Sequence, residues 1–334
     1  MRFALGRSFV APLAAPRVSV VLAAYQAEGL IDEALERLAG LGGDIEVVLV
    51  DDGSTDATAA AMTVAAESDP RFQAVLLPVN GGLGAARRAG FAAARGDYVW
   101  NVDVDDDWPS DALAALDAVD EDADLILFAA RRRRRDDSLV PVDRPPLPES
   151  TDARGLLELL LDERITGHLW NKLVGRRLRE SADAYTDVRI HSDLVMLLGF
   201  LPGVGRVAVR SSEIYTYIER DGSNITSRRR RGDGLDAATA ALARAVEAVA
   251  PDLRDTPRLL AWESKILILS ALRDAVRADY TPEEARQRFR QARSRIRVRG
   301  IFALAHRDRG SAVKLAVALV AAPVFRWAMR PRFR

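Results

Sequence analysis

The chain has 334 residues, 49% of them hydrophobic, and a formal net charge of zero, so it can bury the core of one large domain or of one domain plus an appendage. There is no cysteine, which excludes disulfides, thiolate catalysis and cysteine-bound zinc; the three histidines, His168, His191 and His306, are too scattered to suggest a histidine metal centre. Charge is unevenly placed: residues 1–130 carry 22 acidic and 8 basic side chains, the remainder 26 and 40, and residues 285–334 hold 14 basic residues and one acid, Asp308.

Met1 to Arg17 has a short apolar stretch broken by Arg7 and Pro12, a poor signal peptide, and is expected to be an N-terminal extension. Val18–Ala23 is a continuous apolar run and predicts a buried strand. Ala27–Leu41 has helical periodicity, with Ile31, Leu35 and Leu38 on one face. Strand and helix then alternate: strand Ile45–Val50, helix Thr55–Glu67, strand Phe72–Leu77, helix Gly82–Ala94, strand Tyr98–Val102, helix Asp111–Val119 and strand Asp124–Ala129. Such alternation predicts an α/β fold, a mainly parallel sheet with helices on both faces. Arg131–Asp137 reads as an exposed charged loop, and Pro141–Pro148 as a linker or loop. Helices are expected at Leu156–Leu161 and Val188–Leu201, a strand at Arg206–Ile218, and helix throughout 233–300. The uncharged apolar stretch Leu315–Phe325 is too short to span a bilayer, so a cytoplasmic location is expected. The basic, apolar-faced C-terminal region suits peripheral attachment to an anionic inner membrane surface as well as packing on the rest of the protein.

Four carboxylates occupy five positions in Asp103-Val104-Asp105-Asp106-Asp107, just after a predicted buried strand. Strand C-termini are where open α/β sheets hold ligands, and crowded carboxylates are kept where a cation neutralises them. An all-oxygen site suits Mg²⁺ or Mn²⁺, ions that escort phosphates; the plainer alternative is a solvated turn capping the next helix, with Asp107 or Ser110 as N-cap. Asp51-Asp52-Gly53-Ser54-Thr55-Asp56 ends another strand with two carboxylates, a tight turn and a hydroxyl. A carboxylate there can accept from a pyrimidine imide or a ribose hydroxyl, while Asp51 and Asp56 also fit an Asx-turn and N-cap. Asn80-Gly81-Gly82-Leu83-Gly84-Ala85-Ala86-Arg87 is a glycine-rich turn into a helix, where backbone amides and Arg87 can meet an anion.

In order and spacing, Tyr25, Asp51–Asp56, Asn80-x-Gly82-x-Gly84-x-x-Arg87 and Asp103-Val104-Asp105-Asp106 resemble the motifs of family 2 glycosyltransferases, which have the GT-A fold. The likeness is close over 18–130. It continues in Leu169-Trp170-Asn171-Lys172-Leu173, similar to a segment of members that build surface polysaccharides, and in Ile214–Ile225. The family's Glu-Asp pair is here Ser192-Asp193. The resemblance implies a GT-A domain over 18–230, nucleotide-binding in 18–130 and acceptor-side in 131–230, followed by a helical, basic region, 231–334. It implies Tyr25, Asp52, Arg87 and Asp103 at the nucleotide, Asp105 at the metal and Asp193 as the general base. Trp170, Lys172 and His191 are candidates for the acceptor; core packing, solvent exposure and a structural role are their respective alternatives.

The expected reaction is inverting transfer from a nucleotide-diphosphate sugar, with UDP as the nucleotide, to a hydroxyl of a cell-surface glycan, a teichoic-acid-like polymer or a lipid-linked acceptor. A divalent cation on the diphosphate would stabilise the leaving group. Ser192 in place of the family Glu motivates an alternative, a catalytically impaired binding or scaffolding protein. A nucleotidyltransferase is disfavoured because Ala24–Glu28 has no glycine- and lysine-rich loop, and nucleic acid because the arginines lack interleaved aromatics.

Overall fold

The computed structural model of the protein describes residues 16–114, 122–179, 188, 190–220 and 230–329. The first half alternates as its apolar runs demand: β1 (Val18–Ala24), α1 (Ile31–Ala39), β2 (Ile45–Asp51), α2 (Thr58–Ser68), β3 (Phe72–Leu76), α3 (Leu83–Ala93) and β4 (Tyr98–Asp103). Helix α1 begins later than periodicity suggests, because Gln26 takes a left-handed conformation and residues 26–30 form a turn. Then come β5 (Leu125–Arg133), β6 (Leu139–Pro141), β7 (Ser150–Thr151), α4 (Ala153–Leu161), β8 (Lys172–Gly175), α5 (Arg176–Arg179), α6 (Ser192–Phe200) and β9 (Val207–Ile218).

One sheet runs β3-β2-β1-β4-β8-β5-β9-β7, with β6 on β5. It is parallel from β3 to β4, and β5 is parallel to β9. Strand β8 lies antiparallel between β4 and β5 and makes the sheet mixed. The charge run is therefore not all loop. Arg131–Arg133 continue β5, paired with β6 and β9, and Arg131 meets Glu213 at 2.6 Å. The expected helix at Asp111–Val119 lies partly outside the described residues; positions 111–114 form turns.

Alternating strand residues face two cores. One side of the sheet, with Val21, Val48, Val50 and Val99, packs against α3, α4 and α6. The other, with Val20, Leu22, Trp100 and Phe128, packs against α1 and a cluster of aromatic rings. Close packing of α3 depends on Gly90, where a Cβ would lie 2.3 Å from Val21 Cγ1 and 3.2 Å from Val50 Cγ2.

The C-terminal region consists of α7 (Gly232–Val249), α8 (Pro257–Trp262), a π-helical turn (Glu263–Ile268), α9 (Leu269–Arg277), α10 (Pro282–Ser294), α11 (Val298–Ala305), α12 (Arg309–Val320) and α13 (Ala322–Met329). Helix 233–300 is thus interrupted, notably around 250–256 and 278–281. Helix α7 joins the core beneath α6, whereas α9 to α13 surround a core of their own built on Leu269, Leu272, Leu304, Leu315 and Phe325. No helix among the described residues is long and apolar enough to cross a membrane.

Candidate active site

The C-terminal ends of β1, β2 and β4 lie side by side, since Ala24 pairs with Asp51 and Ala23 with Asp103. Tyr25 follows β1 and is 48% exposed. The loop after it is tied to the loop after β2: the Gln26 amide donates to Ser54 Oγ at 3.0 Å, and the Thr55 amide to Gln26 Oε1 at 2.7 Å. Asp51 accepts from the Ser54 amide, and Asp56 from the amides of Thr58 and Glu28. These are the turn and helix-start roles open to them in the sequence.

Asp52 is buried and holds the glycine-rich turn. Its carboxylate accepts from Asn80 Nδ2 at 3.0 Å and from the Gly81 and Gly82 amides at 2.8 Å each. Gly53 allows the approach: its φ is +70°, and a Cβ would lie 2.6 Å from the Val79 carbonyl carbon. The turn then launches α3, whose Arg87 is only 2% exposed.

Arg87 joins two other sequence candidates. Its Nη2 donates to Asp103 Oδ1 at 3.0 Å, and its Nη1 pairs with Asp193 Oδ1. One guanidinium thus bridges the end of β4 and the start of α6. Asp193 Oδ2 accepts from the Leu169 amide at 3.1 Å, so both of its oxygens are oriented. Ser192 is buried, and its Oγ lies 3.4 Å from both Arg87 Nη1 and Asp193 Oδ1.

Asp105 and Asp106 separate sharply. Asp106 is buried; it accepts from Tyr215 Oη at 2.7 Å and from the Ile218 amide at 2.8 Å. The Asp103 amide in turn donates to Tyr215 Oη at 3.1 Å. Burial, with Asp103 and Asp105 nearby, pushes the Asp106 carboxyl up to about 8. Burial and the Asp103 charge also raise the Asp105 carboxyl. Asp107 does not start a helix: its backbone pairs with Thr216, and its carboxylate reaches the Trp108 amide and Arg133.

Among the described residues no group of three or more His, Cys, Asp or Glu side chains forms a metal site. Asp103 and Asp105 nevertheless fit a hard divalent ion that takes one or two carboxylates and completes its shell with water and phosphate oxygens. The negative charge that raises Asp105 is what such an ion would neutralise.

The acceptor candidates behave differently. Trp170 is 3% exposed and stacks on Tyr215 (4.9 Å, 11°) and His168 (5.1 Å, 16°), so the packing alternative describes it and a sugar platform does not. Lys172 is 0% exposed, so it faces neither solvent nor an acceptor. His191 precedes α6 with φ of 67°, and its Nε2 is buried with no hydrogen-bond partner among the described residues. Sequence reasoning missed His168, whose Nδ1 lies 3.9 Å from Asp193 Oδ2, and the Tyr215–Asp106 pair.

Burial, helped by the Arg231 charge, lowers the His191 imidazole from 6.5 to about 4. The fold therefore prefers the neutral ring. This contribution is intact above pH 6.5 and is lost as pH falls towards 4, with a slope of up to about 1.4 kcal/mol per pH unit. Urea denaturation of His191→Gln is expected to show a shallower loss of stability across that window than the wild type. Equal slopes would refute it.

The parallel strand ends, the Asp-Gly-Ser turn, the glycine turn into α3 and the acidic end of β4 define an α/β domain of GT-A type. Solved structures agree on the fold. S. aureus TarS superposes with a TM-score of 0.67 at 18% identity, over 93% of this chain and 54% of that one. The mannosyltransferase PcManGT from Pyrobaculum calidifontis does so with 0.53 at 20%, over 95% and 86%. The model of glycosyl transferase family 2 matches residues 19–172. The succinoglycan biosynthesis protein ExoO of Rhizobium meliloti is 36% identical over 241 residues, 68% of this chain and 67% of that protein. The putative glycosyltransferase EpsH of Bacillus subtilis is 31% identical over 170 residues, and the match spans about half of its length (49%). The chain belongs to glycosyl transferase family 2, and the protein is a glycosyltransferase.

Proposed function

We propose that the protein is an inverting, metal-dependent glycosyltransferase that moves a sugar from a UDP-linked donor to a hydroxyl of a cell-surface glycan or lipid-linked acceptor. The observation that carries this reading is the single Arg87 guanidinium shared by Asp103 and Asp193. It puts the strand end that suits the donor and a carboxylate that suits a base within one side chain of each other. Supporting it, TarS has been crystallised with UDP-GlcNAc and PcManGT with GDP-Man and Mn²⁺, and ExoO is named for succinoglycan biosynthesis. A further relative, from Pseudomonas fluorescens, is an undecaprenyl-phosphate 4-deoxy-4-formamido-L-arabinose transferase.

In this mechanism Tyr25, Asp52 and Asp103 bind the base and ribose, and Asp105, with Asp103 beside it, holds Mn²⁺ or Mg²⁺. Held there, a divalent cation would supply neutralising charge to a nucleoside diphosphate leaving group. Asp193 takes the proton of the acceptor hydroxyl as its oxygen attacks the anomeric carbon from the face opposite the leaving group. Arg87 pairs with Asp193 and aims it. The functional division is a nucleotide-binding half (18–130) and an acceptor-side half (131–230) followed by the helical region 231–334.

Calorimetry tests the donor site: UDP should bind with Mn²⁺ and at least tenfold more weakly without it, and Asp105→Ala should abolish the difference. Metal-independent binding would sink the reading.

We place the partner surface on α11 to α13. Val298, Phe302, Val313, Val320, Val324 and Trp327 (69% exposed) point away from the local core, in a segment that also carries Arg299, Arg307, Arg309, Lys314 and Arg326 and one acid, Asp308. Apolar anchors among cations suit anionic lipid headgroups. The protein should co-sediment with phosphatidylglycerol vesicles and not with phosphatidylcholine ones, and Trp327→Ser should weaken this; equal binding to both lipids would count against it.

A further inference from the structure

We infer that Asp143, Asn171 and Lys172 form a buried positioning unit that fixes the loop orienting Asp193; the inference rests on the reading of Asp193 as base. A lysine at the start of a short central strand would ordinarily turn its ammonium to solvent. Here it turns inward. Lys172 Nζ donates to the Thr166 carbonyl at 3.1 Å, the His168 carbonyl at 2.6 Å and Asn171 Oδ1 at 2.8 Å. Three donors meet three acceptors, which is the full capacity of an ammonium. All three acceptors belong to residues 162–171, the loop between α4 and β8.

Asn171 is oriented in turn. Its Nδ2 donates to the Phe128 carbonyl on β5 at 3.0 Å and to Asp143 Oδ2 at 2.9 Å, which leaves Oδ1 for Lys172. Asp143 also accepts from the Thr166 amide at 3.3 Å, so the loop is gripped at both its amide and its carbonyl sides. The Asp143 carboxylate supplies the countercharge that lets a fully buried ammonium persist.

The grip has a direction. The amide that follows the held carbonyls, Leu169 N–H, donates to Asp193 Oδ2 at 3.1 Å. The same loop carries His168, 3.9 Å from that oxygen, and Trp170, whose carbonyl accepts from Trp100 Nε1 on β4 at 2.7 Å. The loop is thus anchored to the sheet on one side and presents one donor to the base on the other. Arg87 fixes Asp193 Oδ1, and the lysine-held loop fixes Oδ2. All three residues are buried. Their effect on turnover passes through the orientation of Asp193, and misplacement of a catalytic group by about 1 Å costs on the order of 100-fold.

The test uses the full chain and two readouts. In Lys172→Met, amide hydrogen exchange in residues 166–171 should accelerate at least tenfold, with exchange in β1 and β2 unchanged. Mn²⁺-dependent hydrolysis of UDP-GlcNAc, with water as the acceptor, should lose about 100-fold in kcat, with KM for the donor within twofold. Asp143→Asn, which keeps the shape of the site and misorients Asn171, should change both readouts in the same direction by about tenfold and serves if Lys172→Met does not fold. Unchanged exchange at 166–171, a wild-type kcat in a folded variant, or a loss confined to donor KM would each overturn the inference. An inactive Asp193→Asn beside a fully active Lys172→Met overturns the positioning role alone. A fully active Asp193→Asn removes the base and this inference with it.

Discussion

Asp193→Asn should lower turnover by about a thousandfold while leaving UDP affinity within threefold. The substitution keeps the shape of the side chain and its contact with the Leu169 amide, and removes the negative charge that takes up the acceptor proton. General-base catalysis is worth roughly 10²–10⁴ in rate, so the loss should fall in that range. Donor affinity should survive because Arg87 retains Asp103 as an ion-pair partner. Steady-state kinetics with UDP-sugars, alongside UDP calorimetry, would measure both. Wild-type turnover in the variant would eliminate Asp193 as the base and favour a binding or scaffolding protein, the alternative that Ser192 raises in the sequence.

Arg87→Met should cost about 3–5 kcal/mol of stability as well as activity, the range for breaking a buried ion pair from one side. The guanidinium is the shared partner of two acidic side chains that are themselves mostly covered: Asp103 is 28% exposed and Asp193 15%. Without it they are left facing each other as like charges. Urea denaturation should show the lower midpoint with little change in slope. Adding Asp103→Asn to Arg87→Met should restore part of the loss, because one of the two stranded charges is gone. Arg87→Lys should rescue less than its charge suggests, since an ammonium cannot present two parallel nitrogens to two carboxylates. A midpoint within 1 kcal/mol of wild type would contradict the bridging role.

The first part of the sheet, β1 to β4, is legible because its determinants are local. Apolar runs of strand length are sufficient to locate β1, β2 and β4, and with them the edge where Asp52 and Asp103 stand. The antiparallel β8 was not legible: four residues beginning with Lys172 carry no alternation, and the strand exists because β4 and β5 flank it. Arg131–Arg133 were hidden for a related reason, since three arginines signal exposure and say nothing about a backbone ladder. In the site, motif order picks out Arg87, Asp103 and Asp193 separately. That one guanidinium unites them depends on how α6 packs beside α3, across 106 residues of sequence. Trp170 and Lys172 were ambiguous in principle. An indole can cover a sugar or fill a core, and an ammonium can meet an anion or cap carbonyls; only the surrounding backbone decides.

The placement of β8 also sets a timetable for synthesis. Strand β4 finds its outer partner only in residues 172–175, well after Asp103 has been made. At roughly 5–20 residues per second, the interval is about 4–14 s. Through that time the parallel strands β3-β2-β1-β4 present an open edge with Trp100 at its margin, the kind of surface that recruits other chains. The nascent protein is therefore most vulnerable to aggregation, and most in need of a chaperone, before the Trp-Asn-Lys segment emerges from the ribosome.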